Sequence, residues 1–272
     1  MFNTIGIITK PQDITSQETA RELGAFLKEQ DVSLVENEKD IKKNADLIVV
    51  VGGDGSILST ARTYVDSNIP ILGINLGRLG FLADVSVESM MNAVSEILSG
   101  EYIKEERALL SCQVERKSSI LSQHLAFNEV VVHRNETPRM IEFELFVDGD
   151  FVNKQRADGM IVTTPTGSTA YALSSGGPIM HPSVNTICLV SISPHTMSHR
   201  PFILHGESEV LISLIDSDDK ATVSFDGQAS FSILLGDSLR VRQHDNFIHL
   251  IHPKGYDYFD IIRSKLHWGH KV

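Results

Sequence analysis

The sequence of 272 residues predicts two unlike parts in series, an α/β part followed by an all-β sandwich, and three observations predict them. Over about the first hundred residues, short apolar runs alternate with segments of helical period, which is the rhythm of a parallel sheet. From about Ser111 onward the helical period disappears, and strands that alternate apolar and polar residues take over. After Tyr256 a helical spacing returns, so the tail is expected to pack back on the first part.

The apolar runs are Ile5 to Ile8, Val32 to Val35, Leu47 to Val51 and Ile69 to Ile74. Between the first two, Thr15 and Glu18 have the spacing of a capping box, followed by a stripe of Ala20, Leu23, Phe26 and Leu27 that predicts a helix. A second stripe, Val87, Met90, Met91, Val94, Ile97 and Leu98, ends at Gly100, a residue suited to a left-handed cap. Both methionines read as core filling. Next, the run Leu125 to Val132 reads as one strand, interrupted by the polar pair Asn128-Glu129. Ile141, Phe143, Leu145 and Val147 lead into Asp148-Gly149, the signal of a tight hairpin. Further strands are expected at Ile187 to Ile192, Val210 to Ile215, Ala221 to Phe225, Ser232 to Leu235, Leu239 to Val241 and Phe247 to Ile251, completing an antiparallel sandwich. In the tail, Phe259, Ile262 and Leu266 keep helical spacing.

Acidic residues outnumber basic ones by 35 to 24, a net charge of −11, so the molecule repels phosphate backbones and anionic membranes. A general nucleic-acid coat protein is excluded. Cys112 and Cys188 have no CxxC spacing and read as buried small hydrophobes. No run approaches the ~18 apolar residues of a membrane span, and the start MFNTIGIITK reads as a strand, so a soluble cytoplasmic protein is expected.

The chemistry concentrates in four segments. Leu47 to Val51 is a β-branched run of the kind buried on both faces of a sheet, and Gly52-Gly53-Asp54-Gly55-Ser56 follows at its carboxyl end, where open α/β sheets bind ligands. Glycines there let a phosphate approach the backbone, and the helical spacing after Ser56 aims a helix N-terminus at the anion. Asp54 is the anomaly. A carboxylate beside a phosphate must bind a cation or take a substrate proton, as phosphoryl transfer to a hydroxyl requires, or else it merely caps the helix. The segment is neither a Walker loop nor a GxGxxG fingerprint. Asn75 to Leu82 follows the next strand with further glycines, so two loops side by side make one cleft, and Arg78 is its one side chain suited to an anion.

Asn128 and Glu129 sit in an apolar run, and burying them without partners costs roughly 2 kcal/mol or more each. Either a ligand meets them at a strand end or bulge, or one of them faces solvent. Arg156-Ala157-Asp158-Gly159 leads into Met160 to Thr164 and then Pro165 to Pro178. That long segment is rich in small hydroxyl residues and glycine and is suited either to a polar ligand or to an ordered surface loop. No serine has a GxSxG setting, and His195 and His199, four apart, lack the glutamate of a zinc helix.

Together, Gly52-Gly53-Asp54-Gly55, Asn75 to Phe81, Asn128-Glu129 and Arg156 to Gly159 through Thr164-Pro165-Thr166-Gly167-Ser168-Thr169-Ala170-Tyr171 resemble the ordered motifs of the NAD kinase family. The resemblance runs nearly the length of the chain and includes Pro194-His195, Asp226-Gly227-Gln228 and Ile251-His252-Pro253. The GGDG element is shared with lipid kinases and phosphofructokinases, whereas the TPTGSTAY segment is specific. The resemblance implies a Rossmann-like α/β domain, residues 1–105 with the tail from about 254 to 272. It also implies a β-sandwich NAD-binding domain, residues 106–253, with the active site in the cleft between them.

It further implies ATP-dependent phosphorylation of the adenosine ribose 2′-hydroxyl of NAD, with a divalent cation, Mg²⁺, brought by ATP and with no protein metal site. On this resemblance Asp54 is the general base. Gly52, Gly53, Gly55 and Ser56 form the phosphate loop. Asn128 and Glu129 hold the ribose and adenine side, and Asp158 holds the nicotinamide end. Thr169, Ala170, Tyr171, Ala172, Leu173 and Ser174 line the dinucleotide pocket, with Arg139, Arg156 and Gln228 nearby. Some contacts come from a neighbouring subunit, so a dimer or tetramer is expected. Ser56 stands where the family usually has Thr, with the hydroxyl retained. The readings that compete are a lipid or sugar kinase sharing the glycine motif, and a dinucleotide-binding regulator without turnover.

Overall fold

The structure is a computed structural model and describes residues 2–77, 80–135, 139–196, 198–217 and 221–269. Arg78 lies outside these residues. The chain divides into two compact units, one formed by Met1–Glu106 with Ile248–Val272 and the other by Arg107–Phe247. No helix among the described residues is long and apolar enough to cross a membrane.

The first unit opens with β1 (Thr4–Thr9), α1 (Ile14–Glu29), β2 (Ser33–Val35), α2 (Glu38–Asn44) and β3 (Leu47–Val51). It continues with α3 (Asp54–Tyr64), β4 (Ile71–Asn75), β5 (Val85–Ser86), α4 (Met90–Leu98) and β6 (Tyr102–Arg107). Every residue of β3 is buried, as its unbroken β-branched run requires, and β3 pairs in parallel with β1 and β4. The cap of α1 differs from the sequence expectation: Asp13, not Thr15, is the N-cap, and its Oδ1 accepts from the amide of Ser16 at 3.1 Å. Leu23 and Leu27 of α1 are fully buried, each stabilising the unit by roughly 2 kcal/mol. Met90 and Met91 join the same core, and Gly100 takes the expected left-handed φ of +92°. The helix α2 has one buried residue, Ile41, so its sequence carries no period to read.

The second unit contains β7 (Leu110–Arg116), β8 (Ser119–Ala126), β9 (Glu129–Arg134), β10 (Ile141–Val147), β11 (Asp150–Ala157) and β12 (Gly159–Thr163). A 3₁₀ turn at Thr166–Thr169 and the short α5 (Tyr171–Ser174) follow. After them come β13 (Thr186–Ile192), β14 (Phe202–His205), β15 (Val210–Asp216), β16 (Ala221–Phe225), β17 (Ala229–Ile233) and β18 (Asp237–Gln243). Two six-stranded sheets result, in the orders β11-β10-β15-β18-β7-β8 and β14-β13-β12-β9-β16-β17. Their alternate residues share one core that includes Cys112, Val130, Phe143, Val162, Val223 and Leu239. Burial pushes the Cys112 thiol up to about 12 and that of Cys188 up to about 11, as inert core residues. Asp148 and Gly149 both have positive φ, the geometry of the two-residue hairpin that the sequence signalled.

Two strand expectations are corrected. Leu125 to Val132 is not one strand: the chain bends at Phe127-Asn128, so that β8 belongs to one sheet and β9 to the other. Phe247 to Ile251 does not join the sandwich. Instead β19 (Ile248–Pro253) enters the sheet of the first unit, giving the order β2-β1-β3-β4-β19-β6 with β5 beside β4. After it, α6 (Tyr258–Leu266) buries Tyr258, Ile261 and Ile262, while Phe259 is exposed.

A buried ion cluster anchors this return. His252 of β19 is 1% exposed, with Nδ1 2.9 Å from Asp84 Oδ2 and Nε2 3.2 Å from Glu105 Oε2, and its ring stacks on Tyr256. Burial would lower the pKa of His252, but the hydrogen bonds and charges of the two carboxylates outweigh it and raise the value. Only the imidazolium donates from both nitrogens, which is what two carboxylate neighbours demand.

Candidate active site

In the first unit the candidate centre is built where β3 ends. Gly53 is the N-cap of α3 and makes no side-chain cap bond, and Asp54 is the first helical residue. A Cβ added to Gly53 would meet nothing within 4 Å, so the backbone there is open to a ligand, next to the positive end of an eleven-residue helix. Gly52 is different: a Cβ would come within 2.6 Å of Ser56 Oγ, so the turn itself requires glycine.

Asp54 is half-buried and does not cap its own helix. Its Oδ2 accepts from the amide of Phe81 at 2.8 Å, and its Oδ1 accepts from the amides of Leu82 and Ala83, each at 3.1 Å. The loop after β4 is tied from a second side by Asn75, whose Oδ1 accepts from Gly77 and whose Nδ2 donates to Ala83 O. Thus the two glycine-bearing loops that the sequence placed at neighbouring strand ends are joined through one carboxylate.

In the second unit the bend at Phe127-Asn128 brings several candidates together. Glu129 opens β9 opposite Thr163, the last residue of β12. Hydroxyls of Thr163 and Thr164 donate to the carbonyls of Asn128 and Phe127. A Cβ at Gly167 would lie 2.3 Å from Asn128 O, so the segment after β12 packs backbone to backbone on the bend. Arg107, 2% exposed, donates to Thr166 Oγ1 at 3.2 Å.

Two residues here carry more than the sequence suggested. Asp226 turns the β16–β17 hairpin with φ +53° and accepts from three successive amides, those of Phe127, Asn128 and Glu129, at 3.0, 2.7 and 3.2 Å. Its position in Asp226-Gly227-Gln228 was the only available signal. Glu129 is 6% exposed, and its Oε2 has no hydrogen-bond partner among the described residues. Desolvation first, and then the charge of Asp226, push the Glu129 carboxyl up to about 8, so it carries a proton at neutral pH.

Beyond the turn, Tyr171 and Ser174 are exposed and Thr169, Ala170 and Leu173 are half-buried, whereas the side chain of Ala172 is buried with Val131, Ile161 and Cys188. Gln228 is exposed beside Asp226. The remaining candidates gather at the opposite end of the strands. Asp158 sits five residues from Thr163, roughly 17 Å along β12 at about 3.3 Å per residue. It forms an ion pair with Arg134 at 2.7 Å, a partner the sequence reading missed because 24 positions separate them. The exposed Arg156 faces Glu142 across the β10–β11 pair, and Arg139, just before β10, stands 3.9 Å from Asp216.

Among the described residues, no three His, Cys, Asp or Glu side chains converge as a metal-ligand set. Among the described residues, grooves of about 490 Å³, along α1 and β2, and 330 Å³ lie in the first unit, and no sequence-predicted site residue lines either.

Residues 33–102 match the model of the ATP-NAD kinase N-terminal domain, and residues 127–252 match that of the ATP-NAD kinase C-terminal domain. An NAD kinase of Hydrogenovibrio crunogenus is 45% identical, with 100% of both chains covered, and one of Thiobacillus denitrificans is 43% identical over 100% of this chain and 99% of its own. Among solved structures, the yeast NADH kinase complexed with NADH superposes with a TM-score of 0.91 at 27% identity, over 99% of this chain and 89% of that one. An NAD kinase from Archaeoglobus fulgidus in complex with ATP gives 0.80 at 27% identity, over 97% of this chain and 98% of that one.

Proposed function

This chain belongs to the ATP-NAD kinase family and is an NAD kinase, and from that premise we propose how its residues move the γ-phosphoryl group of ATP to the 2′-hydroxyl of the adenosine ribose of NAD. One observation carries the proposal. The carboxylate of Asp54 is fixed beside an open glycine backbone at a helix N-terminus, so an anion-binding surface and a proton acceptor lie next to each other.

In this reading, Gly52, Gly53, Gly55 and Ser56 receive the phosphates, and Asp54 orients the ribose hydroxyl and takes its proton as the new P–O bond forms. The bond to the ADP oxygen breaks, and ADP leaves with the charge. A divalent cation, Mg²⁺, would come with the ATP phosphates and would neutralise their charge. Asn128 and Glu129 hold the adenosine side. The Glu129 carboxyl, raised to about 8 by burial and with an Oε2 that has no partner among the described residues, supplies a hydrogen-bond donor that a bound acceptor would satisfy. Thr169, Ala170, Tyr171, Leu173 and Ser174 line the dinucleotide, Ala172 offers it backbone only, and Gln228 borders it.

Asp158, with Arg134, Arg139 and Arg156 at the far end of the strands, serves the nicotinamide side of a dinucleotide bound by a second copy, in a cytoplasmic homo-oligomer. The separation along β12 supports this sharing, and light scattering reads the assembly. The function is tested by assaying NADP from NAD, ATP and Mg²⁺. Asp54→Asn is expected to lose about 10³-fold in kcat while calorimetry still detects NAD binding. Near-normal turnover would overturn the base assignment, and turnover of diacylglycerol or fructose 6-phosphate in place of NAD would overturn the substrate.

A further inference from the structure

A carboxylate offers about four acceptor positions, two on each oxygen. In Asp54 the amides of Leu82 and Ala83 occupy both positions on Oδ1, and the amide of Phe81 occupies one on Oδ2. Among the described residues, one position on Oδ2 is left over. The cradle exists because the residue before Phe81 has no side chain. A Cβ at Gly80 would stand 2.0 Å from Asp54 Oδ1, 2.8 Å from its Cγ and 3.1 Å from its Oδ2. Retreat of the loop is opposed by the bond from Gly80 N to Ala83 O at 3.0 Å, and Ala83 Cα already lies 2.9 Å from where a Cβ on Gly73 would stand.

We propose that Gly80 is a positioning residue for phosphoryl transfer: its missing side chain seats the Asp54 carboxylate on three loop amides and leaves a single Oδ2 position for the substrate hydroxyl. This rests on the reading of Asp54 as the base. The hydroxyl proton passes to Oδ2 as the ribose oxygen bonds to phosphorus and the bond to the ADP oxygen breaks. Because Oδ1 is fully occupied, the carboxylate cannot present its other oxygen, which sets the side from which the ribose approaches. Gly80 is not among the residues proposed above for the phosphates or the dinucleotide, so its effect is expected in the chemical step.

The experiment is a double-mutant cycle of Gly80→Ala and Asp54→Ala, read by steady-state kinetics and by thermal melting. Gly80→Ala is expected to lower kcat about 10²-fold, the scale of a displacement of about 1 Å at a reacting group, with KM for NAD and ATP within about threefold. In the Asp54→Ala background, where the carboxylate is gone, the added methyl has room. The double variant should therefore melt no lower than Asp54→Ala and lose no further turnover.

Wild-type kcat in Gly80→Ala overturns the proposal, and so do losses that add in the two backgrounds. Should Gly80→Ala fail to fold, folding of the double variant supports the clash with Asp54, and failure of both overturns it. Retained turnover in Asp54→Asn would instead sink the base assignment, so the two failures are told apart.

Discussion

Each unit contains one aspartate that gathers three successive backbone amides. Asp54 holds those of Phe81, Leu82 and Ala83, and Asp226 holds those of Phe127, Asn128 and Glu129. The hydrogen bonds are alike, but the surroundings are not. Asp54 is half-buried and begins a helix beside glycines open to solvent, whereas Asp226 is 9% exposed, turns a hairpin and adjoins a buried carboxyl that keeps its proton. The same knot thus leaves a half-buried carboxylate beside open glycine backbone in one unit and shapes a buried bend in the second.

The comparison predicts where substitution hurts. Asp226→Ala leaves three amides without their acceptor at a buried bend, and denaturant unfolding should show a loss of about 4 kcal/mol or more, because hydrogen bonds to charged groups contribute roughly 1.5 to 3 kcal/mol each. Asp54 is itself half-buried, so its bonds to the amides of Phe81, Leu82 and Ala83 are more screened, and for Asp54→Ala a loss of about 2 kcal/mol is expected, with the damage concentrated in turnover. Equal stability losses would break the distinction.

A smaller effect sharpens it through pH. Between about pH 4.5 and pH 8 an unfolded Glu129 has released its proton while the folded one keeps it, so the wild type loses stability as pH rises through that window and the slope ends above it. Glu129→Gln removes this term. Thermal melts at pH 5.5 and 7.5 should show the variant gaining about 2 kcal/mol on the wild type, and a constant difference would mean that Glu129 is ionised in the fold.

The smallest stability effect is expected at Gly53, where a methyl group meets open space. Gly53→Ala should change stability by no more than about 0.5 kcal/mol, yet raise KM for ATP several-fold if phosphates approach that backbone. An unchanged KM would detach the phosphates from this loop.

Much of this organisation is legible in the sequence. The buried run Leu47 to Val51, the stripe ending at Gly100 and the Asp148-Gly149 hairpin are local patterns, and each forms as its spacing predicts. What escapes is set by long-range partners. A buried strand reads the same whichever sheet receives it, so Phe247 to Ile251 looked like a member of the sandwich until its pairing with β4 was seen. The run from Leu125 to Val132 hides a bend because apolar residues continue on both sides of it. Asp226 acts on amides about a hundred positions earlier, and no local pattern announces such a reach. Asp54 was singled out because a carboxylate among phosphate-binding glycines is chemically odd, but its hold on Phe81, Leu82 and Ala83 could not be read from that oddity.

The return of β19 also sets a timetable for making the protein. A ribosome releases β1 to β6 before any strand of the second unit, but the strand that lies between β4 and β6 emerges only after all of them. All of Arg107–Phe247 must be translated first, roughly seven to thirty seconds at about 5–20 residues per second, with apolar strand edges waiting unpaired. The unit that carries Asp54 is begun before Arg107–Phe247 and closed only after it, so a nascent chain holds an incomplete α/β sheet throughout that interval.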